Sequence, residues 1–234
     1  MEIPSGRAPR AVLFDAYGTL FDVYSVGVMV ERLFPGFGER FGLLWRDKQI
    51  EYTRLTSMSG RSRSFRDCTR AGLRYAVARF GLTLTEGGES ELMQAYEHLA
   101  PFPENLAVLV ELKRRGIRAG ILSNGDPDML EAVVRNAGFA DWVDPVLSVE
   151  GTGVFKTDPA AYALGTDALG LPAADILFVS SNCWDAIGAT WFGYATLWIN
   201  RFNLPLDELG ARPTRIGTKL GDVLDFFAFE RPSP

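Results

Sequence analysis

The stretch that decides the fold is AVLFDAYGTL, residues 11–20. Its first four residues are apolar and predict a buried strand of a parallel sheet, which ends at Asp15 and a Gly18-Thr19 turn. In open α/β sheets ligands bind in the crevice beyond the carboxyl ends of the strands, so a carboxylate at this point is placed to meet a substrate. The alternative is a surface aspartate that merely ends a strand, and the rest of the chain decides between the two.

Composition limits the class of protein. A chain of 234 residues with 47% hydrophobic content can bury a full core. No apolar run approaches the roughly 20 residues of a spanning helix, and residues 1–10 lack the apolar segment of a signal peptide. A net charge of −5 with scattered basic residues argues against nucleic acid. We expect a cytoplasmic protein with no nucleic-acid or membrane partner and with loosely held ends at residues 1–10 and 231–234.

The two cysteines and the single histidine are of chemically reactive types but say little about function. Cys68 and Cys183 form no C-x-x-C pair and suit a reducing compartment. The single histidine, His98, is the only candidate for Ser-His-Asp chemistry, but it stands at a predicted helix end before a Pro-bounded loop. We expect a structural or solvated role for it.

The chain divides into two kinds of segment. Residues 22–98 have helical periodicity and almost no strand-like runs, whereas strand and helix alternate from residue 99 onward. The segment Asp126-Pro127-Asp128 is predicted to cap the helix that follows it, and the last strand is expected at residues 195–199. The pattern predicts an α/β protein with a Rossmann-like parallel sheet core, residues 1–21 and 99–234, and an inserted helical cap domain, residues 22–98. The further strands are expected at residues 117–122, 143–149 and 176–179.

Polar side chains follow several of the predicted strands. Because parallel strands end at one edge of a sheet, these side chains are expected to lie together along that edge. In chain order they are Asp15, Ser123, Asn124, Lys156, Ser180, Asn182 and Asp185.

Four stretches of the sequence carry a further signal: FDAYGTLFDV, LSNG, FKTDPAAY and FVSSNCWDAIGATWFGYATLWINR. They resemble the motifs of the L-2-haloacid dehalogenases, within the haloacid dehalogenase superfamily. The resemblance runs from about residue 11 to about residue 226, and the last motif is the most diagnostic. Phosphatases of the superfamily have a second aspartate two residues after the nucleophile, where this chain has Tyr17. Because a halide leaves without a proton, the lost acid favours carbon-halogen cleavage over phosphate ester hydrolysis.

The resemblance implies a two-step reaction. Asp15 would displace the halide and form an ester, and a nearby cation, Lys156, would favour its ionised form. Water would then attack the ester carbonyl, with Asp185 as the base or the group that orients it. The residues implied to hold this network are Thr19, Ser180 and Asn182.

The resemblance also implies a substrate site. Arg46 and Asn124 would receive the halide, and Ser123 with neighbouring backbone N–H groups would hold the substrate carboxylate. The family commonly has an amide after this arginine, whereas this chain has Asp47, which could pair with Arg46 and weaken halide binding. Tyr162 matches a tyrosine that supports the substrate site. The implied pocket walls are Tyr17, Ile50, Phe65 and Trp184.

No metal or cofactor is expected. Mg²⁺ prefers octahedral oxygen ligands, and Asp15 with Asp185 makes a small set.

The function predicted on this resemblance is hydrolysis of short (S)-2-haloacids to (R)-2-hydroxy acids through an aspartyl ester, without metal. Two alternatives stay open. One is a related hydrolase with the same nucleophile that opens another 2-substituted acid, such as a strained ring amine. The other is a binding protein on the same fold without turnover, and a phosphatase is a more distant third. Relatives in the family are often dimers through the cap, so a homodimer is expected.

Overall fold

The structure is a computed structural model and describes residues 8–227. Residues 1–7 and 231–234 of the predicted loose ends lie outside these residues. Six strands form one parallel sheet in the order β3-β2-β1-β4-β5-β6. The strands are β1 Ala11–Phe14, β2 Arg118–Ser123, β3 Val146–Ser148, β4 Ile176–Ser180, β5 Ala195–Ile199 and β6 Arg215–Gly217.

Strand β1 lies inside the sheet, which explains its apolar sequence. All four of its residues are fully buried, and it pairs with β2 on one side and β4 on the other. Phe14 is level with Ile121 of β2 and Val179 of β4. The residues that follow these three strands therefore meet at one edge of the sheet, and Asp15 is the first residue after β1 at that edge.

Eight α-helices connect and cover the strands in the described residues. Helices α5 and α7 contact β2, α6 contacts β3, and α8 contacts β4 and β5. The alternation of strand and helix confirms the predicted α/β class with a parallel sheet. The helices are α1 Gly27–Leu33, α2 Gly38–Met58, α3 Phe65–Arg79, α4 Glu86–Ala95, α5 Asn105–Arg114, α6 Pro127–Asn136, α7 Pro159–Leu169 and α8 Cys183–Phe192. Short 3₁₀ helices lie at Val23–Val26, Glu150–Thr152, Ala173–Asp175 and Leu220–Phe227.

Helices α1 to α4 follow β1 along the chain, and within the described residues no strand of the sheet lies between them. The long helices α2 and α3 pack against each other, and the indole N–H of Trp45 donates a 2.7 Å hydrogen bond to the carbonyl oxygen of Thr69. Gly72 allows this close packing, because a Cβ atom there would lie 3.1 Å from the carbonyl oxygen of Trp45. The helical character predicted for this segment agrees with these elements, while the division into core and cap domains stays a prediction.

The strand predictions need two corrections. Strand β6, Arg215–Gly217, follows the strand predicted to be the last; it has three residues, of which one is buried, and it lies at the sheet edge. A strand this short, with a charged residue and a glycine, has no apolar pattern to reveal it. Strand β3 starts at Val146 rather than at residue 143, because Pro145 has no N–H group to donate to a neighbouring strand.

The cap predicted at Asp126-Pro127-Asp128 has the expected position but not the expected side-chain contact. Asp126 stands at the N-cap position of α6, but its side chain makes no hydrogen bond to that helix. Its carboxylate instead accepts hydrogen bonds from the backbone N–H groups of Phe65 and Arg66, at the start of α3. Sequence distance conceals this contact, because a capping residue is normally sought next to its helix.

The remaining sequence features take structural positions. No helix within residues 8–227 is long and apolar enough to cross a membrane. Cys68 and Cys183 are both free thiols, and Cys68 is buried. His98 is exposed, and its ring nitrogen lies 3.1 Å from the carbonyl oxygen of Gln94 one turn earlier. It takes no part in the cluster at the sheet edge.

Candidate active site

Asp15 is held at the end of β1 by hydrogen bonds to both carboxylate oxygens. One oxygen, Oδ2, accepts from the Thr19 hydroxyl at 3.1 Å, the Asn182 amide at 2.8 Å and the Ser180 hydroxyl at 3.4 Å. The other, Oδ1, lies 3.1 Å from the ammonium nitrogen of Lys156. The two oxygens therefore differ: Oδ2 is fixed by neutral donors, whereas Oδ1 faces a single cation.

Lys156 links two carboxylates inside the protein. Its ammonium nitrogen lies 3.1 Å from Asp15 and 3.0 Å from Asp185, and the residue is only 2% exposed. The same group sits 4.8 Å from the centroid of the Phe178 ring, which adds a cation–π contact. A buried ammonium group is tolerated only where opposite charges compensate the loss of water, so the three charged groups form one unit.

Asp185 lies in the first turn of α8 and is fully buried. The hydroxyl of Tyr162 donates to its carboxylate at 2.8 Å and lies 3.2 Å from its carbonyl oxygen. Burial raises the pKa of Asp185 to about 6, and the Lys156 ammonium partly opposes that shift. A carboxyl group with a pKa near neutrality is suited to accept a proton from water.

The turn after β1 brings Thr19 back to Asp15. Gly18 has a φ of 93°, a conformation that favours glycine, and the turn places Thr19 four residues after Asp15 with its hydroxyl on the carboxylate. The same hydroxyl oxygen accepts a 2.8 Å hydrogen bond from the backbone N–H of Ser181. Thr19 therefore connects the ends of β1 and β4 and fixes the orientation of Asp15.

The loop after β2 contributes Ser123 and Asn124. The Ser123 hydroxyl accepts a hydrogen bond from the backbone N–H of Gly125 at 3.1 Å. The side-chain oxygen of Asn124 accepts from the backbone N–H of Lys156 at 3.0 Å, which leaves its amide N–H groups as donors for a ligand. Both residues therefore occupy fixed positions at the edge of the sheet.

Arg46 enters the site from α2. Its guanidinium donates to the Gln49 side chain at 2.6 Å and to the Tyr17 carbonyl oxygen at 3.0 Å. Gln49 in turn donates to the hydroxyl of Thr69 at 2.5 Å, so α3 also supports the guanidinium. Within the described residues Asp47 is exposed and makes no ion pair with Arg46, so the pairing considered from the sequence is not seen.

These elements enclose a cavity of about 10 Å³. That volume is close to the least that holds one water molecule, so the site is nearly closed. The rings of Tyr17 and Phe65 pack 5.0 Å apart on its wall, and the buried Tyr17 hydroxyl has no hydrogen-bond partner within residues 8–227. The cavity is lined by Asp15, Tyr17, Arg46, Ile50, Thr53, Phe65, Ser123, Asn124, Asn182 and Trp184.

A larger cavity of about 370 Å³ adjoins the first. Asp47 and Asp207 lie on its wall, together with several apolar side chains. The guanidinium of Arg54 stacks 4.8 Å from the Trp184 ring. The residues that line both cavities, and therefore separate them, are Arg46, Ile50, Asn182 and Trp184.

The structure brings all the residues predicted for the site into one cluster. Nine line the small cavity, and the other five lie behind Asp15 in the hydrogen-bond network: Thr19, Lys156, Tyr162, Ser180 and Asp185. Tyr162, assigned to the substrate side of the site, contacts Asp185 and does not line the cavity. Sequence reasoning missed Gln49 and Thr53. Their signal was a polar stripe on α2, since Arg46, Gln49 and Thr53 follow one another at helical spacing and all are buried.

The acidic residues of the cluster already have a cationic partner. Asp15 and Asp185 both bind the ammonium group of Lys156. In residues 8–227 no three His, Cys, Asp or Glu side chains are grouped in a way that would hold a metal ion. That the protein uses no metal stays a prediction.

Comparison with known proteins identifies the family. The family described as haloacid dehalogenase-like hydrolase matches residues 9–193. An (S)-2-haloacid dehalogenase of Pseudomonas sp. strain YL is 46% identical over 218 residues, which cover 93% of this chain and 94% of that protein.

Two solved structures share the fold over nearly the whole chain. An L-2-haloacid dehalogenase superposes with a TM-score of 0.92 at 52% identity, covering 94% of this chain and 99% of the other. The L-2-haloacid dehalogenase of Xanthobacter autotrophicus with covalently bound chloropropionic acid gives 0.89 at 38% identity, covering 94% and 98%. The chain is therefore a haloacid dehalogenase-like hydrolase and belongs to the (S)-2-haloacid dehalogenase family.

Proposed function

We propose that this protein hydrolyses short (S)-2-haloacids to (R)-2-hydroxy acids through an ester on Asp15, with no metal in any step. The relatives named (S)-2-haloacid dehalogenase support the substrate class. The relative with covalently bound chloropropionic acid supports the covalent intermediate. The observation that carries the proposal is the asymmetry of Asp15, whose Oδ1 faces Lys156 alone while Oδ2 binds three neutral donors.

In the first step Oδ1 of Asp15 attacks C2 of the substrate from the side opposite the halogen. The carbon-halogen bond breaks as the oxygen-carbon bond forms, so the centre inverts. The halide leaves with the electron pair and is received by the N–H groups of Arg46 and Asn124, both on the cavity wall. Ser123 and the backbone N–H groups that follow it hold the substrate carboxylate.

In the second step water attacks Cγ of the Asp15 ester. Asp185 takes a proton from this water, and its pKa of about 6 allows it to do so near neutral pH. Negative charge develops on Oδ2, which the donors from Thr19, Ser180 and Asn182 stabilise. The bond from Cγ to Oδ1 then breaks, and the proton held by Asp185 neutralises the departing alkoxide. The second proton of the water stays on the new Asp15 carboxyl group and is released to solvent, which restores the carboxylate. The centre at C2 is untouched, so the inversion of the first step is retained.

The test is incubation with (S)-2-chloropropionate, with free chloride and the chirality of the lactate measured. We expect chloride and (R)-lactate in equal amounts, and no chloride from Asp15→Asn. A single turnover in ¹⁸O-water should place the label on Asp15 and not in the product, because the product keeps the original Oδ1. Label in the product of the first turnover, with none on Asp15, would rule out the ester.

The alternatives give different results in the same assays. A hydrolase for strained ring amines would form the hydroxy acid from an aziridine carboxylate faster than from the haloacid. A binding protein would hold the haloacid and release no chloride. A phosphatase would hydrolyse p-nitrophenyl phosphate only when Mg²⁺ is added. The homodimer and the cytoplasmic location stay predictions.

A further inference from the structure

We propose that Asp126 is a positioning residue, which fixes the start of α3 against the substrate-binding loop, residues 123–126. The proposal rests on the proposed function, because it concerns the geometry of the same site. Phe65, the first residue of α3, lines the small cavity together with Ser123 and Asn124 of the loop. Asp126 joins α3 and the loop directly.

The contact between Asp126 and the start of α3 is short and uses both carboxylate oxygens. The carboxylate oxygens of Asp126 accept from the backbone N–H groups of Phe65 at 2.7 Å and Arg66 at 2.8 Å. Asp126 is 5% exposed, so water does not compete strongly for this carboxylate. The next N–H group, of Asp67, donates to the Ser64 hydroxyl at 3.0 Å. The first turn of α3 thus receives two acceptors from the loop and one from its own N-cap residue.

The charge of Asp126 suits this position. A helix N-terminus favours a negative group, and a carboxylate can accept from two N–H groups at once. A neutral amide at the same place would offer only one acceptor oxygen. The backbone at Asp126 is extended, with φ −65° and ψ 152°, as expected before a helix, yet its side chain leaves α6 uncapped and serves α3 instead.

The loop that carries Asp126 is itself held in place. The Gly125 carbonyl oxygen accepts from the Ser148 hydroxyl at 2.7 Å, and the Asn124 side chain accepts from the Lys156 backbone N–H. Gly125 also lies against the Tyr17 ring, where an added Cβ would be 2.6 Å from a ring carbon. Asp126 therefore joins the start of α3 to a firmly held part of the site that includes Asn124.

A second link between the start of α3 and the chain after the loop is weaker. The Arg66 guanidinium donates to Asp128 at 2.6 Å and to Glu97 at 3.1 Å. The Asp128 side chain is 71% exposed, and ion pairs in contact with water contribute little. Asp126 is therefore the principal link between the start of α3 and the loop.

The consequence for the reaction concerns both binding and chemistry. If the link is lost, Phe65 is no longer held in a fixed position relative to Asn124, and both residues line the small cavity. Small displacements of a bound substrate from attack geometry lower the rate of the chemical step. We expect Asp126→Ala to raise KM for (S)-2-chloropropionate about tenfold and to lower kcat about tenfold. Asp126→Asn, which keeps one acceptor, should fall between the parent and Asp126→Ala.

Ser64→Ala is the matched control, because it removes an acceptor from the same helical turn without touching the loop. It should lower the melting temperature much as Asp126→Ala does and leave KM and kcat within about twofold. Equal kinetic losses in the two variants, or parent KM and kcat in Asp126→Ala, would overturn the proposal.

Hydrogen exchange separates this proposal from the proposed function, because it needs no turnover. Asp126→Ala and Asp126→Asn should speed amide exchange both at residues 65–67 and at residues 123–126. Ser64→Ala should speed exchange only at the start of α3. If the parent releases no chloride but the variants show this exchange pattern, the proposed function fails and the positioning role stands. If loop exchange does not change in either Asp126 variant, the positioning role fails whatever the enzyme does.

Discussion

The hydroxyl group of Tyr162 donates a 2.8 Å hydrogen bond to the carboxylate of Asp185, and both residues are buried. Opposing effects set the charge of this carboxyl group. Burial and the nearby charge of Asp15 raise the pKa of Asp185, while the ammonium of Lys156 and the hydroxyl of Tyr162 lower it, and the result is a pKa of about 6. The hydrogen bond therefore helps to keep Asp185, the proposed base of the second step, ionised near neutral pH.

Replacement of Tyr162 by Phe should shift the pH dependence of the reaction. Without the hydroxyl, the pKa of Asp185 rises further above 6, because the hydrogen bond stabilised the ionised form. The parent rate of ester hydrolysis should fall as pH drops below about 6, and in Tyr162→Phe the same fall should begin about one pH unit higher. The measurement is kcat against pH for (S)-2-chloropropionate.

Tyr194→Phe is the control for this shift. Tyr194 is a buried tyrosine that donates to the carbonyl oxygen of Tyr162 at 2.6 Å and makes no hydrogen bond to Asp185. The Tyr194→Phe variant should have a lower free energy of unfolding, and its kcat should fall on the acidic side at the same pH as in the parent. An acidic limb that stays unmoved in Tyr162→Phe would show that Asp185 is not the titrating base.

Replacement of Lys156 by Met should abolish most of the activity and lower stability. It leaves Asp15 and Asp185 buried without their common cation, and breaking a buried ion pair costs about 3–5 kcal/mol of unfolding free energy. We expect kcat to fall at least a thousandfold, since one of the two carboxylates must take up a proton. Chloride release and thermal unfolding measure the two effects.

Lys156→Arg tests whether charge alone is enough. The guanidinium is wider and planar, and the ammonium sits in a fully enclosed position beside the Phe178 ring. We expect little recovery of kcat. Activity close to that of the parent would show that the position requires only a positive charge.

A prediction on packing concerns Gly188 of α8. A Cβ at this residue would lie 2.6 Å from the Tyr162 hydroxyl oxygen and 2.7 Å from a methyl carbon of Thr157. Gly188→Ala should therefore lower the free energy of unfolding by about 1–3 kcal/mol and displace Tyr162 from Asp185. The pH profile of Gly188→Ala should resemble that of Tyr162→Phe, because in both the fall in kcat on the acidic side begins at a higher pH than in the parent. The measurements are urea unfolding and the same pH profile.

Gly151→Ala is the matched change at a glycine with open space, since a Cβ there meets no atom within 4 Å. Its unfolding free energy should stay within about 0.5 kcal/mol of the parent. Equal stability of the Gly188 and Gly151 variants would mean that α8 moves to accept the extra methyl group.

Much of the site was accessible from the sequence because its residues follow apolar strands. Asp15, Ser123 and Ser180 each stand at or just after a strand end, and in a parallel sheet these ends share one edge. Lys156 required the family resemblance, since it lies in a loop without a pattern of its own. The side-chain contacts could not be predicted; for example, the Tyr162–Asp185 hydrogen bond depends on how α7 packs on α8.

The missed features depend on contacts between distant segments. Asp126 was assigned to the helix beside it, but packing brings its carboxylate to a helix 60 residues earlier in the chain. Gln49 supports Arg46 on the same helix, and its burial against α3 is visible only once the two helices are paired. Strand β6 has only three residues and depends on pairing with β5. Local patterns do not contain this information.

The last prediction concerns Asp47, which lines the larger cavity beside Arg46 without pairing with it. An anionic substrate that passes this exposed carboxylate is repelled by it, so Asp47→Asn should lower KM for 2-chloropropionate about twofold at low ionic strength. Salt screens charges at the surface over about 10 Å at 0.1 M, and the difference in KM should therefore vanish as salt is raised. The kcat should not change, because Asp47 does not line the small cavity. The control is Glu51→Gln on the same helix, an exposed residue paired with Lys48, which should leave KM unchanged at all salt concentrations. A salt-independent change in KM, or a change in kcat, would place Asp47 in direct contact with the substrate or with Arg46.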